Sequence, residues 1–221
     1  MPRFADGVIR FQDEVFPAKK ALFERLARGQ RPEALFITCS DARIETAMIT
    51  QTEPGELFIC RNAGNIVPPH TRQTGGMTAS IEFAVSVLQV PHIVICGHTE
   101  CGAMTGAMHP ETLHGLEHVA EWLGYARAAV DIAREIGREM SPEARMWLLL
   151  EENVKMQLQH LRTHPAVAIR LARGDIELHG WVYDIGSGEV HALGADGVTF
   201  LPVRERYGGQ VARLAPHDLC P

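Results

Sequence analysis

The chain has 221 residues, 46% of them hydrophobic and 22% charged, with a formal net charge of −6 and a mean hydropathy of −0.05. A chain of this size and composition buries roughly 70% of its unfolded surface, so it needs neither disulfides nor a metal merely to fold. Its acidic balance, with a pI of about 6.0, argues against a phosphate-binding surface and leaves small-molecule chemistry as the expectation.

The first ten residues mix Arg3, Asp6 and Arg10 with apolar residues and show no apolar h-region, so no signal peptide is expected. No apolar run approaches the ~20 residues of a membrane-spanning helix. Cys39, Cys60, Cys96, Cys101 and Cys220 form an odd, scattered set unlike a secreted disulfide framework, and reduced thiols in a cytoplasm are expected. One domain is expected, with a helical arm over 1–30, a core over 31–193 and a tail over 194–221.

In chain order, residues 7–29 read as two short amphipathic helices separated near Pro17, with Phe11 and Val15, then Leu22 and Leu26, at i,i+4 spacing. Such helices cover either their own domain or a second subunit. Three apolar stretches, 34–38, 57–60 and 92–96, read as buried strands bounded by Pro and Gly. Residues 78–88 lie between the second and third and place Ile81, Val85 and Leu88 at helical spacing. This alternation predicts an α/β fold with a mainly parallel sheet and helices on its faces.

Residues 117–137 predict a helix with Trp122, Tyr125 and Val130 turned inward. A second follows over 142–163, with Ser141 as its cap, Pro142 in its first turn and an apolar stripe of Leu150, Val154, Leu158 and Leu161. The alternation in 177–185 and 189–193, joined by Gly186-Ser187-Gly188, predicts a hairpin that adds an antiparallel edge strand. After Leu193 no period is legible.

Reactive groups in an open parallel sheet collect beyond the carboxyl ends of its strands. Two such ends here carry Cys39-Ser40-Asp41-Ala42-Arg43 and His98-Thr99-Glu100-Cys101. Two thiols and an imidazole from neighbouring strands match the ligand preference of zinc, and three protein ligands leave a fourth position open for chemistry. Taken alone, His98-x-x-Cys101 reads more readily as a buried thiol and a hydrogen-bonded imidazole; the second cluster shifts the balance to metal. Asp41 and Arg43, two residues apart, can form a bidentate pair that keeps the carboxylate ionised and aimed. A surface ion pair of little energetic consequence is the plainer reading of the same spacing.

These motifs resemble the two zinc motifs of beta-class carbonic anhydrases, in particular of the plant-like branch. Glu53-Pro-Gly-Glu-Leu-Phe58, Arg61-Asn-Ala-Gly-Asn65, Ser80-Ile-Glu-Phe83, Cys96-Gly-His98, Glu152-Asn-Val154 and Gly180-Trp-Val-Tyr183 extend the resemblance over roughly residues 8–193. It implies Cys39, His98 and Cys101 as ligands of zinc, and Asp41 with Arg43 as the catalytic dyad. The reaction it implies is reversible hydration of carbon dioxide to bicarbonate and a proton by zinc-bound hydroxide. In some members the aspartate becomes a fourth ligand and closes the site, which makes Asp41 the residue to watch. Gln30, Phe58, Phe83 and Gly102 fall at positions of the family's substrate pocket.

Two departures stand out. Phe83 and Val87 occupy positions where plant-like members often carry tyrosine and histidine, which puts a proton shuttle there in doubt. Phe36 stands where a bicarbonate-regulated branch carries tryptophan, although Arg61 remains available for such a role. Family members are homodimers or larger homo-oligomers. Hydrolysis of carbonyl sulfide or carbon disulfide by the same centre, and a non-catalytic zinc or thiol-sensing module, are the competing readings.

Overall fold

The computed structural model describes residues 2–72 and 74–211; Cys220 lies outside them. The chain opens with helix α1 (Arg3–Arg10), a π-helical turn over Phe11–Val15, α2 (Phe16–Ala18) and α3 (Lys20–Leu26). The expected break near Pro17 falls two residues later: Pro17 is accommodated in a first turn, and Lys19 leaves helical geometry at φ −108°, ψ 20°. None of these helices contributes a buried residue. Phe11, Phe16 and Phe23 instead pack on one another, with ring centroids 5.2–6.1 Å apart. Lys19 Nζ reaches Glu53 Oε1 at 2.8 Å and Leu22 and Leu26 are half-buried, so the arm rests on the domain only at its carboxyl end.

The rest of the chain alternates strand and helix. β1 (Ala34–Cys39), α4 (Thr46–Thr50), β2 (Leu57–Asn62), α5 (Gly76–Glu82) with a π-helical turn over Phe83–Val87, β3 (His92–His98) and α6 (Gly102–Met108) form the first half. α7 (Glu117–Leu123), α8 (Arg127–Ile136), α9 (Pro142–Arg162), α10 (Pro165–Arg173), β4 (Glu177–Tyr183), β5 (Val190–Leu193), β6 (Phe200–Pro202) and α11 (Val203–Val211) complete it. The expected helix over 117–137 is interrupted by a 3-10 turn over Gly124–Ala126, which exposes Tyr125 while Val130 stays buried.

One sheet runs in the order β2-β1-β3-β4-β5-β6. β1 pairs in parallel with β2 and β3, and β3 with β4; β5 and β6 continue antiparallel. The antiparallel edge therefore has two strands rather than the one expected, because Phe200–Pro202 is too short to show alternation. Leu35, Ile37, Ile93, Ile95 and Val182 point to the sheet face that meets Leu150, Val154, Leu158 and Leu161 of α9, all buried. Ser141 Oγ accepts from Ala144 N at 3.2 Å and caps that helix.

α9 lies close to the sheet because Gly180 offers no side chain. A Cβ there would sit 2.8 Å from Val154 Cγ1 and 3.0 Å from Leu158 Cδ1. The opposite face carries Phe36, Val94 and Cys96 with Trp181 and Tyr183 packed against them. Among the described residues no helix is long and apolar enough to cross a membrane.

Candidate metal centre

β1 and β3 are neighbours in parallel register, Thr38 opposite Cys96, so their carboxyl ends emerge side by side. Both strands run slightly further than the sequence suggests: Cys39 is the last residue of β1 and His98 the last of β3. Alternation alone would send Cys39 to the face of Leu35 and Ile37 and His98 to that of Val94 and Cys96, so the two meet over the carboxyl ends of the strands rather than on one face. Cys101, three residues past β3, precedes the first residue of α6. Cys39 Sγ and Cys101 Sγ are 3.9 Å apart, and one ligand atom from each of Cys39, His98 and Cys101 lies within 4.8 Å of the other two.

All three residues are buried. His98 Nδ1 donates to Thr99 O at 2.8 Å, which leaves Nε2 with its lone pair facing the sulfurs. That Nε2 has no hydrogen-bond partner. A buried polar atom without a partner is costly, and a ring nitrogen whose mate is fixed by a carbonyl is the usual state of a metal-ligating histidine. The hydrogen bond from the Cys101 thiol holds Cys39 down at about 4, against burial and with help from the Gly64 amide; the same pairing pushes Cys101 up. The two sulfurs thus share one proton where a divalent ion would take both thiolates. Two soft sulfurs and one imidazole nitrogen fit zinc.

Beside this centre Arg43 grips Asp41 with a fork, Nε to Oδ1 at 2.9 Å and Nη2 to Oδ2 at 2.8 Å, and the Arg43 amide donates to Oδ1 at 3.0 Å. These hydrogen bonds hold the Asp41 carboxyl well below the usual carboxylate range. Nη2 also donates to Glu100 O at 2.8 Å. Glu100 presents that carbonyl from a left-handed conformation, φ +56°, uncommon for a residue with a side chain.

Several supporting residues do work the sequence did not assign to them. Arg61 Nη1 donates to Ile44 O at 2.7 Å and Cys39 O at 3.4 Å, so it clamps the loop carrying Asp41 and Arg43 rather than standing free for an anion. Gly64 donates its amide to Cys39 Sγ at 3.4 Å. Its carbonyl accepts from Asn153 Nδ2 at 3.1 Å, Asn153 Oδ1 accepts from Gln157 Nε2 at 2.8 Å, and Gln157 Oε1 accepts from Val67 N at 2.9 Å. A buried polar chain on α9 thus fixes the loop under Cys39. Its one sequence signal is a pair of amides, four residues apart, inside a helix otherwise apolar on its inner side. Thr99 Oγ1 donates to Asp184 Oδ1 at 2.9 Å and ties the loop after His98 to the end of β4.

Phe58 is half-buried on β2 and packs against Phe83, ring centroids 6.1 Å apart, with Phe83 exposed beyond it. Gly102 is exposed at the start of α6. Gln30 is exposed on the loop before β1 and, among the described residues, makes no polar contact with the centre.

The family model described as carbonic anhydrase matches residues 34–190. A carbonic anhydrase of Pseudomonas aeruginosa is 49% identical over 90% of this chain and 90% of its own length. Carbonic anhydrase 1 of Escherichia coli O157:H7 is 45% identical over 92% of each. The solved beta-carbonic anhydrase CcaA superposes with a TM-score of 0.87 at 39% identity, covering 90% of both chains. One of two tetrameric beta-carbonic anhydrases of Sordaria macrospora gives 0.77 at 32% identity, covering 86% of this chain and 95% of that one. With the Cys-His-Cys centre at its strand ends, the chain belongs to the beta class of the carbonic anhydrase family.

Proposed function

We propose that Cys39, His98 and Cys101 hold the zinc with which this enzyme hydrates carbon dioxide, and that Asp41 and Arg43 serve the reaction beside it. The observation that carries the reading is the partnerless Nε2 of His98, buried and facing two sulfurs 3.9 Å apart. Zinc in such a site acidifies water and so supplies the nucleophile near neutral pH. Two thiolates already cancel its formal charge, so the chain's own groups carry more of the work than in a site of three histidines.

Asp41, kept ionised and fixed by the Arg43 fork, is the group that would accept a hydrogen bond from a water held at the centre and orient it. Asp41 Oδ2 is also 3.9 Å from His98 Nε2, near enough to become a fourth ligand in a closed state once Arg43 lets go. Phe58 and Phe83 form an apolar wall suited to an uncharged linear substrate, with Gly102 and Gln30 as polar contacts at its edge.

The chain is read as one carbonic-anhydrase-like domain that works as a homo-oligomer in the cytoplasm. Phe4, Val8, Ile9 and Phe11 on the arm and Phe83 and Val87 after α5 expose the apolar surface a second copy would cover. The thiols of Cys39, Cys60, Cys96 and Cys101 are free, as a reducing compartment keeps them. Metal content and carbon dioxide hydration of the native chain against Cys39→Ser test the centre. Loss of zinc and a fall in rate on the order of 100-fold or more are expected; a variant that keeps its rate overturns the assignment.

A further inference from the structure

The first residue of β3 and the first turns of β4 bring together a second set of ligand-type side chains, at the end of the sheet away from the Cys-His-Cys centre. His92 stands opposite Glu177 and Val94 opposite His179 in the parallel register. Alternation along the strands puts His92, Glu177 and His179 on the face that carries Phe36, Val94 and Trp181. Six residue steps along β3 separate His92 from His98, about 20 Å along the strand. We infer that His92, Glu177 and His179 form a second metal site, selective for a divalent transition ion that favours imidazole.

The geometry is that of a site needing little movement. His179 Nε2 and His92 Nδ1 are 3.2 Å apart, and Glu177 Oε2 lies 3.8 Å from the first and 3.9 Å from the second. Two nitrogens at that separation subtend roughly 100° at an ion bonded to each at about 2.05 Å. The carboxylate has to close by only a few tenths of an ångström to approach tetrahedral spacing, and Glu177 is 73% exposed and free to pivot.

Outer partners are already present. His179 Nδ1 is 3.0 Å from Tyr207 Oη, which also accepts from Trp181 Nε1 at 3.4 Å. The phenol oxygen has two lone pairs, one for the indole and one for an Nδ1 proton, and that tautomer leaves His179 Nε2 as a ligand. The nearby cation, Arg206, shares the cavity but is already engaged: its Nε donates to Leu193 O at 3.1 Å and its guanidinium lies 4.9 Å from the centre of the Tyr207 ring. A cavity of about 360 Å³, lined by His92, His179, Trp181, Arg206 and Tyr207 among others, gives an ion access.

Two imidazoles and one carboxylate suit zinc, nickel, cobalt or copper and not calcium or magnesium, which take all-oxygen sets. Through Tyr207 the ion would join β3 and β4 to α11. The zinc-loaded native chain, titrated with cobalt(II), is expected to take up one further equivalent. Its spectrum should show d–d absorption without a thiolate-to-cobalt band, since no sulfur is within this set. His92→Gln/His179→Gln should abolish that uptake and Tyr207→Phe should weaken it by about 10–100-fold, with carbon dioxide hydration unchanged in both. Failure of the native chain to bind a second equivalent, a thiolate band, or uptake undiminished in the double variant would each overturn the inference.

Discussion

Asp41 Oδ2 lies 3.9 Å from His98 Nε2, and the Arg43 fork, together with the Arg43 amide, keeps that carboxylate turned to one side. Arg43→Ala removes both charge-assisted hydrogen bonds and the contact to Glu100 O. We expect the carboxylate to move onto the zinc and the hydration rate to fall about 10–100-fold, the equivalent of losing ~1.5–3 kcal/mol. Steady-state hydration assays with zinc-edge X-ray absorption check this, the second by an added oxygen ligand. A normal rate with unchanged coordination contradicts the role given to Arg43.

Gln157 is the middle of the polar chain between Val67 and Asn153. Gln157→Leu keeps the volume roughly but strands the Val67 amide and Asn153 Oδ1 in the core. A loss of about 2–6 kcal/mol in unfolding free energy is expected, the sum of two unsatisfied groups at about 1–3 kcal/mol each. Urea unfolding measures it, and a change under 1 kcal/mol would show that the chain is not a strut.

Gly64 adopts φ +79°, and its amide reaches the Cys39 sulfur. In Gly64→Ala the left-handed conformation costs about 1–2 kcal/mol, and the added methyl would come within 2.7 Å of Met104 Cε. The unfolding midpoint should drop accordingly and zinc should leave faster to a chelator. An unaffected metal off-rate would separate Gly64 from the centre.

Much of this was legible in the residues. Cys39 and His98 stand out because strand ends in an apolar α/β pattern rarely carry such groups, and the ion pair of Asp41 and Arg43 follows from a spacing of two. The partners of those groups were not legible. Beyond two amides four residues apart on an apolar helix face, nothing local marks Asn153 or Gln157 as the support beneath Cys39, since the contacts join residues 89 and 90 positions apart. β6 escaped for a different reason: three residues are too few for a period, and its pairing with β5 is set by tertiary packing.

Acid should loosen the fold through two histidines. His160 Nδ1 donates to Val67 O at 2.8 Å from a half-buried ring, and His164 Nε2 to Pro68 O at 3.0 Å from a buried one. Burial holds each below the ordinary 6.5. The folded state therefore prefers the neutral ring and the unfolded chain binds more protons, so their contribution is whole above about 6.5 and is lost as pH falls below it. Unfolding midpoints between pH 7.5 and 5 should decline, and less steeply in His164→Gln. Parallel slopes for the two proteins would remove His164 from the account.

Cys39 and Cys101 stand 62 residues apart in the chain, and the strands that bring them together are the two at the centre of the parallel half of the sheet. On the ribosome the first thiol must therefore wait, unligated, until β3 has been made and has found β1. A slip of one residue in that pairing turns Cys39 to the wrong face of the sheet. The candidate ligand set is thus a reporter of strand register: only a correctly paired β1 and β3 bring Cys39, His98 and Cys101 together.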